Sequence, residues 1–197
     1  MNTKTPSRPR LVVGISGASG VIYGIRMLKI LRDLDVESHL VMSKSAQVTL
    51  AHETDMSVAD VKALADVNYS NTDIGAAISS GSFKVEGMVV APCSIKTLSE
   101  ISTGVTSSLL SRAADVNLKE RRRLVLMVRE TPLHLGHLRS MTAVTEAGAI
   151  IYPPVPAFYA RPASLEEMVD HSLGRVLDLF GFDAGTVKRW DPKNTIA

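Results

Sequence analysis

The chain alternates between short apolar runs and amphipathic stretches. Leu11-Val12-Val13, Met88-Val89-Val90-Ala91 and Leu124-Val125-Leu126-Met127-Val128 are unbroken apolar runs, which read as strands buried on both faces. Val36 to Met42 is a further strand by alternation and β-branching, and Ile150-Ile151-Tyr152 is a short last one. Between them, apolar residues recur at three- and four-residue spacing. Val21, Ile25, Leu28 and Leu31 follow the first strand, and Leu109, Leu110, Ala113, Val116 and Leu118 mark a helix from Ser108 to Glu120. Ser43, Ser57, Ser94 and Ser164 stand as caps before helical stretches ending near Asp55, near Ala65, beyond Thr97 and at Phe180. Another helix spans His137 to Ala147, and Gly148 stops it. Residues 66–82 form a polar, irregular connection, in which Ser79-Ser80-Gly81-Ser82 is either a second ligand-facing loop or a linker.

Strands alternating with helices, each strand apolar throughout, predict an α/β fold. It is a three-layer sandwich with a mostly parallel sheet covered on both faces. Such sheets bind ligands beyond the C-terminal ends of their strands. That rule selects four polar tips: Ser16–Gly20, Ser43-Lys44, Cys93–Thr97 and Arg129-Glu130.

The first tip, Gly14-Ile15-Ser16-Gly17-Ala18-Ser19-Gly20, joins a strand to a helix. Its glycines let backbone come close, the following helix N-terminus offers unpaired N–H groups, and Ser16 and Ser19 add hydroxyls. The turn therefore reads as a site for a phosphate-bearing cofactor, or else as a tight turn that binds nothing. A dinucleotide fingerprint requires G-x-G-x-x-G and an acid about 20 residues on. Here Ser16 replaces the second glycine, and the next strand ends in Ser43-Lys44, which argues against NAD and leaves NADP a weak opening.

Composition narrows the class. At 197 residues the chain suits one domain, placed at 10–190 with short tails at 1–9 and 191–197. The net charge of +2 does not indicate a nucleic-acid partner. No apolar run approaches the roughly 18 residues of a membrane span, and Met1 to Pro9 lacks the apolar core of a signal peptide. The single cysteine, Cys93, forbids an internal disulfide and suits a reducing, cytoplasmic setting.

Several cations lie near the tips: Lys96, Arg112, Lys119, Arg129 and Arg175. A glycine turn with serines can hold one phosphate, so this many cations suits a second phosphate or a carboxylate. Arg121–Arg123 read instead as a solvated charged turn. Cys93 has no histidine placed by sequence to activate it and reads as packing. His134 and His137 stand i,i+3 without a third ligand of suitable spacing, so no metal site is assigned.

Taken together, these segments resemble the flavin prenyltransferases, the UbiX family. The matching stretches are Val13–Gly20, His39–Lys44, Glu53-Thr54-Asp55, Ile78–Phe83, Pro92–Thr97, Arg112–Asp115, Leu118-Lys119-Glu120, Val128–Pro132, Pro153–Tyr159 and Arg189-Trp190. The resemblance implies a Rossmann-like, flavodoxin-type fold, a homododecamer, and an active site between subunits. It implies metal-free transfer of a dimethylallyl group from dimethylallyl monophosphate to N5 and C6 of reduced FMN, with the product serving a UbiD-type decarboxylase. Gly17, Ala18, Ser19, Ser43, Ser94, Ile95, Lys96, Thr97 and Arg129 match FMN contacts. Tyr159 and Arg175 match contacts to the prenyl phosphate, with Arg112 and Lys119 as further cations. Ser19, Glu53 and Glu130 match residues implicated in the chemistry. An FMN-dependent decarboxylase of the same superfamily and a non-catalytic flavin carrier are the alternatives. The downstream pathway, ubiquinone biosynthesis or aromatic-acid decarboxylation, stays open.

Overall fold

The computed structural model describes residues 8–190. Most of the expected tails, residues 1–7 and 191–197, lie outside the described residues. Six strands form one sheet: β1 (Arg10–Ile15), β2 (Glu37–Met42), β3 (Val67–Tyr69), β4 (Gly87–Cys93), β5 (Arg123–Val128) and β6 (Ile150–Ile151). Every pairing is parallel, in the spatial order β3-β2-β1-β4-β5-β6. The helices are α1 (Val21–Asp33), α2 (Lys44–Glu53), α3 (Val58–Lys62), α4 (Ile95–Thr103), α5 (Leu109–Lys119), α6 (Leu135–Glu146) and α7 (Leu165–Asp178).

The unbroken apolar strands have a direct physical cause. Leu11, Val13 and Ile15 of β1 pack into one core with α1, α2, α3 and α7, where Ile25, Leu50, Val61 and Leu173 lie. Val12 faces the opposite core, which Leu98, Leu110 and Val144 of α4, α5 and α6 complete. Successive strand residues point to opposite faces, so a sheet covered on both sides needs an apolar residue at every position. Each fully buried Leu or Ile contributes roughly 1.5–3 kcal/mol relative to exposure.

The chain runs outward from β1 to β3 and then returns to β4 on the other side of β1. The strand order therefore reverses between β1 and β4, and a crevice opens beyond their C-terminal ends. This Rossmann-like order places the first and third sequence-predicted tips side by side.

Two elements differ from the sequence expectation. The polar connection at 66–82 contains β3, which pairs His39 with Val67 and Val41 with Tyr69. Three residues are too short for a periodic signal. The strand is held by Asp66, whose carboxylate accepts from the Ser38 N–H at 2.8 Å and hydroxyl at 2.9 Å. The Ser79–Ser82 loop lies at the N-terminal edge of the sheet, away from the crevice. Arg122 fixes it by donating to Gly81 O at 2.6 Å and Phe83 O at 2.8 Å. One of the three arginines read as a solvated turn is thus a loop anchor. Just before β1, Arg8 pairs with Asp35 and Asp66 at 2.7 and 3.1 Å, which ties that segment to the edge of the sheet.

Candidate functional site

Ser16, the last residue before the glycine turn, is fully buried. Its hydroxyl donates to Pro92 O at 2.9 Å and accepts from the Ser94 N–H at 2.7 Å. This hydroxyl joins the tips of β1 and β4 and is not available to a ligand, contrary to the sequence expectation. Gly17 is required next: a Cβ there would lie 2.2 Å from Ser45 Cβ at the start of α2. The turn and α2 are therefore in backbone-close contact.

The N-terminus of α1 is not open either. Glu53, the last residue of α2, accepts from Gly20 N at 2.9–3.0 Å and from Val21 N at 2.9 Å. Burial alone would raise the Glu53 pKa. Hydrogen bonds from the Ser19 side chain, Val21 N–H and Gly20 N–H, together with the nearby Arg129 charge, hold it below the usual carboxylate range. The anion predicted for this helix N-terminus is the protein's own carboxylate. Gly20 fits the role because its φ of 102° lies in the left-handed region.

The anion place that stays open lies one step across. A cleft of about 250 Å³ runs between the starts of α2 and α4, lined by Gly17, Ser43, Ser45, Ser94–Thr97 and Glu130. Ser43 caps α2 by accepting from Ala46 N at 3.0 Å, and Ser94 caps α4 by accepting from Thr97 N at 3.3 Å. The first-turn N–H groups of Lys44, Ser45, Ile95 and Lys96 have no acceptor among the described residues. Two helix N-termini thus aim unpaired donors and partial positive charge into one cleft. Ser45, which the sequence reading passed over, both packs on Gly17 and lines this cleft; a serine two places after a cap is the signal that marks it. Lys96 itself is well exposed and pairs with Glu100 at 3.2 Å.

A second group gathers around the tip of β5. Arg129 lies close enough to Glu53 and Tyr23 to pull both pKa values down, although burial leaves Tyr23 raised overall. Among the described residues no carboxylate is within ion-pairing distance of Arg129. Glu130 faces the cleft, and its carboxylate accepts from Thr131 N at 3.0 Å. Tyr152 connects this group to the next: burial raises its pKa, and neighbouring Arg175 opposes the rise. Tyr159 is half-exposed and meets His171 and Trp190 edge-on at 5.8 and 5.7 Å. Arg175, on the last turn of α7, pairs with Asp178 at 2.5 Å.

Arg112 and Lys119 do not join this group. Arg112 pairs with Asp115 along α5 at 2.8 Å. Lys119 ends α5, roughly 16 Å along the helix from Ser108, and pairs with Glu120 beside Gly81. A helix leading into a parallel strand runs from the C-terminal to the N-terminal edge of the sheet, so Lys119 is carried away from its own chain's cleft. Two larger clefts, about 550 and 510 Å³, lie at that far edge around Arg121–Arg123 and Arg8. They are more open than the smaller cleft, and no helix N-terminus is among their lining residues, so size does not select the site here.

The remaining reactive side chains have structural partners. Cys93 is fully buried, and burial raises its thiol pKa far above the ordinary value. His134 caps α6, its Nδ1 accepting from Gly136 N at 3.0 Å, and its ring lies 3.5 Å from that of His137. Among the described residues no three metal-ligating side chains converge, and no helix is long and apolar enough to cross a membrane.

A doubly wound sheet with paired helix N-termini at its switch point defines a nucleotide-phosphate-binding α/β protein. Comparison with known proteins narrows this. The Flavoprotein family model matches residues 2–176. Flavin prenyltransferase UbiX of Escherichia coli K12 is 63% identical over 172 residues, covering 87% of this chain and 91% of that protein. AnUbiX, solved in complex with FMN and dimethylallyl pyrophosphate, superposes with a TM-score of 0.92 at 54% identity, over 94% of this chain and 98% of that one. A dodecameric FMN-dependent UbiX-like decarboxylase from Escherichia coli O157:H7 superposes with a TM-score of 0.90 at 48% identity, over 92% and 99%. The chain belongs to the UbiX flavin prenyltransferase family.

Proposed function

We propose that this chain is a flavin prenyltransferase, which binds reduced FMN in the cleft between α2 and α4 and transfers a dimethylallyl group to it from dimethylallyl monophosphate. The observation that carries the reading is the presence of two separate anion-holding places at one end of the sheet. One is the pair of open helix N-termini with Arg129 at its edge, and the other is the Tyr159 and Arg175 pair beside Tyr152. A flavin carrier needs only the first.

The cleft suits a phosphate monoester. Gly17 lets the turn close against Ser45 at the cleft wall, and four first-turn N–H groups have no acceptor among the described residues. Gly17, Ala18, Ser19, Ser43 and Ser94–Thr97 then surround the flavin phosphate and chain, with Arg129 at the edge. Reduced FMN supplies the nucleophilic positions N5 and C6.

The protein's part is electrostatic. Breaking a carbon–oxygen bond to phosphate without a metal needs fixed positive charge where the leaving group gains its own. Arg175 supplies that charge, and Tyr159 adds a hydroxyl donor. Lys119 acts on the site of a neighbouring copy, since its own helix carries it to the opposite edge of the sheet, while Arg112, one turn from Ser108 at the cleft wall, adds charge at the near end of that helix. A homododecamer, the assembly of one relative, brings copies together in this way.

The two carboxylates divide the proton work. Glu53 is held ionised by three donors, so its conjugate acid is too strong for it to serve well as a base. It fixes Ser19 and the glycine turn. Glu130 has spare acceptor capacity facing the cleft and accepts the proton lost from flavin during ring closure. The prenylated product is passed to a UbiD-type decarboxylase, within a reducing compartment such as the cytoplasm.

The test is anaerobic incubation with reduced FMN and dimethylallyl monophosphate or diphosphate, followed by mass analysis of the flavin. A gain of one C5H8 unit with release of phosphate is expected. Unaltered flavin with both donors overturns the reading.

A further inference from the structure

Arg175 and Arg189 share a single carboxylate. Arg175 Nη1 donates to Asp178 Oδ2 at 2.5 Å, while Arg189 donates to both oxygens, Nη1 to Oδ2 at 3.0 Å and Nη2 to Oδ1 at 2.9 Å. Arg189 also faces Asp183 at 3.5 Å. Asp178 ends the same helix that carries Arg175, whereas Arg189 returns from the segment beyond it.

That segment is tied down along its length. The Thr186 hydroxyl donates to Asp170 O at 3.0 Å. Gly174 of α7 gives it room, since a Cβ there would lie 2.5 Å from Thr186 Oγ1 and 2.6 Å from Val187 Cγ2. It forms a strap over α7 that reaches both residues read above as donor-phosphate ligands: Arg189 meets Arg175 through Asp178, and Trp190 meets the Tyr159 ring.

We propose that Asp178 and Arg189 are positioning residues for the donor phosphate. Asp178 parks Arg175 while the phosphate is absent, and Arg189 keeps Asp178 neutralised when Arg175 turns to the phosphate. The inference rests on Arg175 being a donor-phosphate ligand.

The charge count explains the arrangement. The Asp178 side chain is 18% exposed. Paired with Arg175 alone, it would lose its counter-charge on release and so would hold the guanidinium back. The two bonds from Arg189 cover both oxygens throughout. Arg175 and Arg189 are about half exposed, and ion pairs at such exposure are weak. A phosphate, with more charge and three acceptor oxygens, can therefore take Arg175 from the carboxylate. The Asp178 pKa agrees: the Arg189 hydrogen bond is the foremost influence lowering it, burial opposes, and the Arg175 bond follows.

The test is steady-state kinetics with dimethylallyl monophosphate on wild type, Arg189→Gln, Asp178→Asn and the double variant, with FMN affinity measured on each. Arg189→Gln is expected to raise KM for the donor roughly two- to fivefold, the scale of an exposed ion pair, with kcat and FMN affinity unchanged. Adding Asp178→Asn should return KM to the wild-type value, because the competing carboxylate is gone. An unchanged KM in Arg189→Gln overturns the proposal. So does a double variant no better than Arg189→Gln, which would make the strap a packing element only. If wild type forms no prenylated flavin, it is the functional reading that fails. The exchange is then read from inorganic phosphate binding by phosphorus NMR in the same four proteins, with the same order of affinities required.

Discussion

Of the helices that begin at the C-terminal edge of the sheet around the cleft, α1, α2 and α4 use their first-turn N–H groups in opposite ways. In α1, a carboxylate from elsewhere in the chain, Glu53, accepts from Gly20 and Val21. In α2 and α4, serine caps take one donor each and leave two more without an acceptor among the described residues. The dipole and the unpaired donors are the same physics at all three ends. The difference teaches that a helix N-terminus has donors to offer an external anion only where the fold has not already supplied one.

Gly17→Ala should break this comparison most severely. The added Cβ would force α1's turn away from Ser45, at a cost of about 1–3 kcal/mol for overpacking. Denaturant unfolding should show that loss, and FMN affinity should drop at least about tenfold, the equivalent of roughly 1.4 kcal/mol. Wild-type affinity would mean that the turn does not shape the cleft.

Ser16→Ala comes next. The buried Ser94 N–H loses its acceptor, which costs about 1–3 kcal/mol. The change should also loosen the start of α4, so thermal unfolding and FMN affinity should fall together.

Glu53→Gln sharpens the contrast from the closed side. A carboxylate at a helix N-terminus contributes about 0.3–1 kcal/mol, up to roughly 2 when partly buried. Thermal stability should therefore fall, while FMN affinity should fall less than in Gly17→Ala, because Glu53 acts on the cleft only through Ser19 and the glycine turn. Acid provides a second measure. The folded pKa of Glu53 lies below its unfolded value, so its contribution is full above roughly pH 4.3 and is lost as pH falls through the folded value. The stability gap between Glu53→Gln and wild type should narrow over that range.

Ser94→Ala is the mildest. Losing the cap costs about 1 kcal/mol, but it also frees the Thr97 N–H toward the cleft. Calorimetry should show a larger stabilisation by FMN in the variant than in wild type, partly offsetting the loss.

The order of elements and the sheet class were readable from sequence because each depends on local periodicity. The strand tips were readable because parallel sheets place ligands there. That the α1 N-terminus is already filled was not, since Glu53 reaches it from 32 residues beyond Val21. The burial of the Ser16 hydroxyl likewise depends on Pro92 and Ser94, 76 and 78 residues away. Strand β3 was hidden because a carboxylate–serine clasp holds it in place of a hydrophobic pattern. The distance of Lys119 from its own chain's cleft was missed for a different reason. The reading weighed its charge but not the direction of its helix, although α5 leading into a parallel strand already fixed that direction.

The Ser16 hydroxyl also makes the crevice observable over time. It accepts from the Ser94 N–H, an amide outside the strand ladder and ahead of the first turn of α4, where exchange with solvent would ordinarily be fast. Held by a fully buried hydroxyl at the cleft wall, that proton exchanges slowly while the Ser16–Ser94 bond joins the tips of β1 and β4. Its hydrogen-exchange rate therefore reports opening of that bond between the sheet's two halves. In wild type it should match the slowest amides of β1 and β4, so that the floor of the crevice opens only when the whole domain unfolds.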